Sequence, residues 1–111
     1  MKLPGADQVR IDELKIQGYL LSRTHPVSRF KARIFGALGF DEGSVEALVS
    51  ELRRIAADGE VADVEDTAFG RKYTVPGDLN GPAGSARVLT VWIREAGQAG
   101  VRLVTVRPRW P

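Results

Sequence analysis

His25 and Lys31 are the residues best placed to do chemistry in this chain. His25 is the only histidine and stands directly before Pro26, at a helix start of the kind proline favours. From Pro26 to Leu38 the apolar residues Val27, Phe30, Ile34, Phe35 and Leu38 follow one helical stripe. Lys31 falls within that stripe, between Val27 and Leu38, whereas Arg29 and Arg33 fall on the other side. At a helix N-terminus the macrodipole opposes protonation, which keeps His25 neutral and able to accept a proton near pH 7. Lys31 could then stabilise developing negative charge. The same residues also fit structural roles, His25 as a helix cap and Lys31 as a side chain that snorkels to water.

A second group lies on strands. Phe69 to Val75 alternates, with Phe69, Arg71, Tyr73 and Val75 on one side. Ala86 to Arg94 alternates too, with Leu89, Val91 and Ile93 facing one way and Val88, Thr90, Trp92 and Arg94 the other. If Leu89, Val91 and Ile93 face the helices, Thr90, Trp92 and Arg94 face outward or into a groove. Arg71 and Tyr73, then Thr105 and Arg107, join them from neighbouring strands. A sheet face with two aromatics among arginines resembles surfaces that stack and hold single-stranded nucleic acid. The alternative is ordinary cross-strand packing under arginine stems, and a one-residue slip in register would regroup every residue named.

These residues need elements to position them. Asp12 is a cap for a first helix through Leu21, His25-Pro26 opens the second, and Asp41 caps a third. In the third, Val45, Leu48, Val49, Leu52, Ile55 and Ala56 keep helical spacing. Arg53 and Arg54 suit its last turn, and Gly59 suits its stop. Residues 61–66 suit a short acidic edge strand, and Pro76 to Gly84 reads as turn chemistry. Residues 101–106 suit a closing strand. The expected fold is α+β, with three N-terminal helices packed on one face of a C-terminal antiparallel sheet of about four strands. Residues 1–111 read as a single domain, without repeats or linkers.

The composition is that of a folded protein, 43% hydrophobic and 27% charged. No run of ~18 apolar residues marks a membrane span, and the N-terminus lacks the apolar core of a signal peptide. A cytoplasmic location is therefore expected. Without cysteine there is no disulfide or thiolate chemistry; with one histidine and no calcium-loop spacing, neither a metal nor another cofactor is expected. No phosphate-binding loop or nucleophile elbow is present. The net charge of +2 hides a segregation: residues 1–37 carry +4, residues 38–66 carry −7 and residues 67–111 carry +5.

The run Tyr19-Leu20-Leu21, His25-Pro26-Val27-Ser28-Arg29-Phe30-Lys31-Ala32-Arg33-Ile34-Phe35 and Leu38-Gly39-Phe40 resembles a bacterial family of small domains of unknown function. Gly70-Arg71-Lys72-Tyr73, Leu79-Asn80-Gly81-Pro82, Thr90-Val91-Trp92-Ile93 and Arg102-Leu103-Val104-Thr105 fit it as well. More remotely, helices followed by a meander are similar to the barnase–EndoU–colicin–RelE class of ribonuclease toxin domains. That resemblance implies RNA as a partner and a metal-independent cleaving site between a helix and the sheet. The site reading then makes His25, Lys31 and Arg71 catalytic, with His25 exchanging protons and the two cations stabilising a phosphorane-like transition state. Tyr73 and Trp92 would stack bases, Thr90 and Thr105 would position phosphate oxygens, and Arg94 would help bind substrate. The other reading is a non-catalytic interaction module, such as an antitoxin-like or accessory partner. There His25 and Lys31 satisfy an internal carboxylate, and the acidic residues 58–66 contact a basic partner.

Overall fold

The computed structural model of the protein describes residues 1–16, 35–41 and 43–108. Two long antiparallel strands, β3 (Gly70–Gly81) and β4 (Gly84–Glu95), form its centre. They are flanked by β2 (Asp63–Thr67) beyond β3 and by β5 (Val101–Pro108) beyond β4. A two-residue strand, β1 (Val9–Arg10), pairs in parallel with the start of β5, so the sheet order is β1-β5-β4-β3-β2. One long helix, α1 (Val45–Asp58), packs on one face. The class is α+β as expected, but the sheet has five strands rather than about four, and β1 makes it mixed.

The three-helix expectation is met in one full element among the described residues. Helical turns at 13–16 and 35–37 fall within the expected first and second helices, and residues 17–34 lie outside the described residues. Asp12 caps the first as expected, accepting the backbone N–H of Leu14 at 3.0 Å. The second ends in a Schellman motif, in which Phe40 N–H bonds to Phe35 O and Gly39 N–H to Gly36 O, both at 3.0 Å. Gly39 adopts φ 92°, a left-handed conformation that glycine reaches without strain.

Two details of α1 differ from expectation. Its N-cap is Ser44 rather than Asp41. Asp41 instead accepts Gly43 N–H at 2.9 Å and Ser44 Oγ at 3.0 Å, shaping the turn before the helix. The helix also runs on to Asp58, so Arg53 and Arg54 lie about one turn before its end. Gly59 stops it in extended backbone, where a Cβ would come within 2.5 Å of Val75 Cγ1.

The register shows which face α1 covers. Tyr73 stands opposite Trp92, Val75 opposite Thr90 and Gly77 opposite Val88, so these residues share one face. That face carries the core: Tyr73, Val75, Leu79, Val88 and Trp92 cluster with Leu48, Leu52 and Ile55 of α1. Leu89, Val91 and Ile93 lie on the opposite face and so do not face α1; most of the other two expected helices lies outside the described residues.

Pro76 to Gly81 is strand rather than turn. Gly77 makes room for Ile55, whose Cγ2 would lie 2.7 Å from a Cβ there. Pro76 lies beyond the stretch paired with β2, on an edge where a missing N–H costs little. The turn itself shrinks to Pro82 and Ala83, between the paired residues Gly81 and Gly84.

Candidate functional site

Thr90 and Trp92 are fully buried, at 0% exposure, and joined by a hydrogen bond from Trp92 Nε1 to Thr90 Oγ1 at 2.8 Å. Thr90 Oγ1 in turn donates to Val75 O at 2.7 Å. This chain satisfies both polar side chains, which is why an indole N–H and a hydroxyl can sit inside an apolar core. Tyr73 is buried beside them. The grouping of Arg71, Tyr73, Thr90, Trp92 and Arg94 on one face is thus present, but α1 packs on that face, which is no open platform. In this packing neither Tyr73 nor Trp92 presents an open face to a base, and the core explains their burial.

Arg71 and Arg94 stand opposite each other at the exposed end of that face. Arg71 Nε donates to Asp66 Oδ1 at 2.6 Å, and Arg94 Nε donates to Gln98 O at 3.3 Å. Hydrogen bonding to Asp66 holds the Arg71 guanidinium above its ordinary range. Thr105 and Arg107 were expected on the same face and are not there. Trp92 pairs with Leu103, but Val91 pairs with Thr105, so Val104 is an extra residue in β5. Such a bulge moves every later side chain to the other face. His25 and Lys31 lie outside the described residues. Among the described residues no acid–base set converges, and no group of three His, Cys, Asp or Glu could hold a metal.

The charged side chains do organise the sheet edges. Arg53 Nη1 reaches Val9 O at 3.2 Å on β1, while Arg54 Nη2 donates to Asp78 O on β3. The adjacent arginines thereby tie α1 to opposite sides of the sheet. Glu51 accepts from Arg54 and from the backbone N–H of Asn80, and the Arg54 hydrogen bond holds its carboxyl below the ordinary range. Lys15 donates its ammonium to the carbonyl of Val104, the bulge residue, and burial pushes its pKa down.

The edge beyond β2 is different. Asp63, Val64, Glu65 and Asp66 are all exposed. From Asp58 to Asp66 there are five acidic residues and no basic one. Val64 is 44% exposed, and Phe69, in the two-residue loop between Thr67 and Gly70, is 80% exposed. Phe69 is therefore a turn residue rather than the strand residue that alternation with Arg71, Tyr73 and Val75 suggests. The signal that could have placed it is Gly70 directly after it, at φ 146°, where a Cβ would meet Arg94 O at 2.4 Å. Next to the start of β2, an open groove of about 430 Å³ lies between the end of α1 and β3, lined by Arg54, Asp58, Glu60, Asp78 and Arg87.

No described helix is long and apolar enough to cross a membrane. None of the curated proteins matches the chain at a significant level. A similar fold occurs in a chain of a contact-dependent growth inhibition toxin–immunity protein complex from Klebsiella pneumoniae 342. The TM-score is 0.71 at 16% identity, over 89% of this chain and 98% of that one. At that identity the likeness is one of fold. A family model described as a domain of unknown function, DUF6883, matches residues 2–109. That span takes in every element described above, and the chain belongs to the DUF6883 family.

Proposed function

We propose that this domain is one member of a toxin–immunity type pair and works by binding a partner protein at the acidic edge of its sheet. The observation that carries this is the distribution of charge. Arg54, Arg71, Arg87 and Arg102 each lie within 3.3 Å of a carboxylate, whereas Asp63 and Glu65 have no ion-pair partner among the described residues. An edge of unpaired acids attracts a basic protein and repels a polyanion. A protein that grips phosphates is itself basic, so a partner that blocks such a protein needs an acidic surface of this kind. The likeness in fold to a chain of a toxin–immunity complex supports the pairing by analogy.

A second reading, the ribonuclease toxin, is favoured by a separate feature. Residues 17–34 contain His25 and four basic residues without a single acid. In that reading His25 exchanges protons, and Lys31 and Arg71 stabilise the charge of the transition state. Incubating total RNA in EDTA with the wild type, His25→Ala and Lys31→Ala separates the two. A binding partner leaves RNA intact in all three reactions. Cleavage by the wild type and by neither variant would make the domain the toxic member.

A further inference from the structure

We infer that β2 is an acceptor strand: a basic, extended segment of the partner protein pairs with its outer edge and adds a sixth strand to the sheet. The inference rests on the pairing reading above and specifies its contact. Thr67 and Gly70 flank a two-residue hairpin loop and so form a hydrogen-bonded pair. Alternation along the ladder then turns the N–H and C=O of Asp63, Glu65 and Thr67 toward β3, and those of Val64 and Asp66 outward. Among the described residues nothing reaches these outward groups. Elsewhere the fold covers such groups: Glu51 and Arg54 bond to the free run of β3, and Lys15 to the bulge of β5. Among the described residues, the outer edge of β2 is left open.

The acids decide what can occupy it. Antiparallel or parallel pairing of β2 with a second copy would bring Asp63 and Glu65 against like charges; Arg71 relieves Asp66 alone, and neither Asp63 nor Glu65 has an ion-pair partner among the described residues. A strand bearing lysine or arginine at alternate positions meets the opposite sign instead. Val64 and Phe69 bracket the strand with exposed apolar surface, and an aromatic at the hairpin tip supplies an anchor. Backbone pairing provides the common affinity, and the charges provide the choice of partner.

The probe is a terminally blocked octapeptide of alternating lysine and valine, added to the full chain. Its controls are the same peptide N-methylated at alternate residues and a glutamate–valine peptide. Binding by the lysine peptide should slow amide exchange at Val64 and Asp66 and should fail with both controls. Phe69→Ala should weaken it about tenfold, as loss of an aromatic anchor does, and Asp63→Lys with Glu65→Lys should abolish it. Equal binding by the N-methylated peptide, or no protection at Val64 and Asp66 at millimolar peptide, would overturn the acceptor strand and leave the pairing reading standing. RNA cleavage in EDTA by the same preparation would instead overturn the non-catalytic reading without bearing on β2.

Discussion

Glu51 Oε1 accepts the backbone N–H of Asn80 at 2.8 Å, and Arg54, held to the same carboxylate at 3.0 Å, donates to the carbonyl of Asp78. β2 pairs with β3 only as far as Thr74, so the rest of β3 has no neighbouring strand on that side. Two side chains of α1 take its place. Glu51→Ala should therefore cost about 1 kcal/mol in denaturant unfolding, the usual net worth of an intramolecular hydrogen bond. Glu51→Gln, which keeps an acceptor, should cost less.

The same carboxylate gives a pH signature. Arg54 depresses its folded pKa below the ordinary value of 4.5, so the stabilisation is complete above that value and is lost as pH falls through the folded one. The stability difference between the wild type and Glu51→Gln should shrink in acid. Unfolding curves across the acid range test this, and a constant difference would show that the ion pair contributes nothing.

Thr90 links two buried groups, Trp92 Nε1 and Val75 O. Thr90→Val removes the hydroxyl at nearly constant shape and leaves the indole N–H unpaired in the core. A loss of about 1–3 kcal/mol is expected for an unsatisfied buried donor. In a Trp110→Phe background, which leaves Trp92 as the sole tryptophan, fluorescence should meanwhile be unmoved by single-stranded oligonucleotides, because the Trp92 ring is enclosed. Quenching by an oligonucleotide in that background would show that Trp92 is reached by bases.

Lys15 covers the one bulge carbonyl of β5 at the price of a partly buried charge. Lys15→Met keeps the apolar stem and removes the donor. It should speed amide exchange in β5 around Val104 while leaving exchange in β3 unchanged. Uniform change across the sheet would mean that Lys15 acts on global stability rather than on that edge.

If β2 is an open acceptor strand, Asp63 and Glu65 are what keep it from pairing with itself. Asp63→Val with Glu65→Val leaves β2 apolar at both positions, and the doubly substituted protein should dimerise or aggregate at concentrations where the wild type is monomeric. Light scattering coupled to size exclusion reads the outcome. A monomeric double variant would show that charge is not what protects the edge.

The alternation of Ala86 to Arg94 made β4 legible, and the grouping of Tyr73 with Thr90 and Trp92 followed from it. The inward side was not legible, because both sides of β4 are apolar: Val91 and Ile93 are buried on one face, Val88 and Trp92 on the other. Thr90 counts as polar in a pattern yet behaves as core once its hydroxyl is used by Val75 and Trp92. Glycine and proline misled at Pro76 to Gly81, where Gly77 serves packing against Ile55 rather than a turn. The placement of Thr105 depended on the single extra residue Val104, which no local pattern announces. The acidic run at 58–66 was visible as composition, but its exposure along an unplugged edge was a matter of tertiary structure.

Amide hydrogen exchange of the free protein, resolved by residue along β2, tests the open edge most directly. Asp63 and Glu65 should be protected by β3, and Asn80 by Glu51, while Val64 and Asp66 exchange at rates close to those of an unstructured chain. Strong protection of Val64 and Asp66 in the absence of any partner would contradict the account, because the edge would then already be covered.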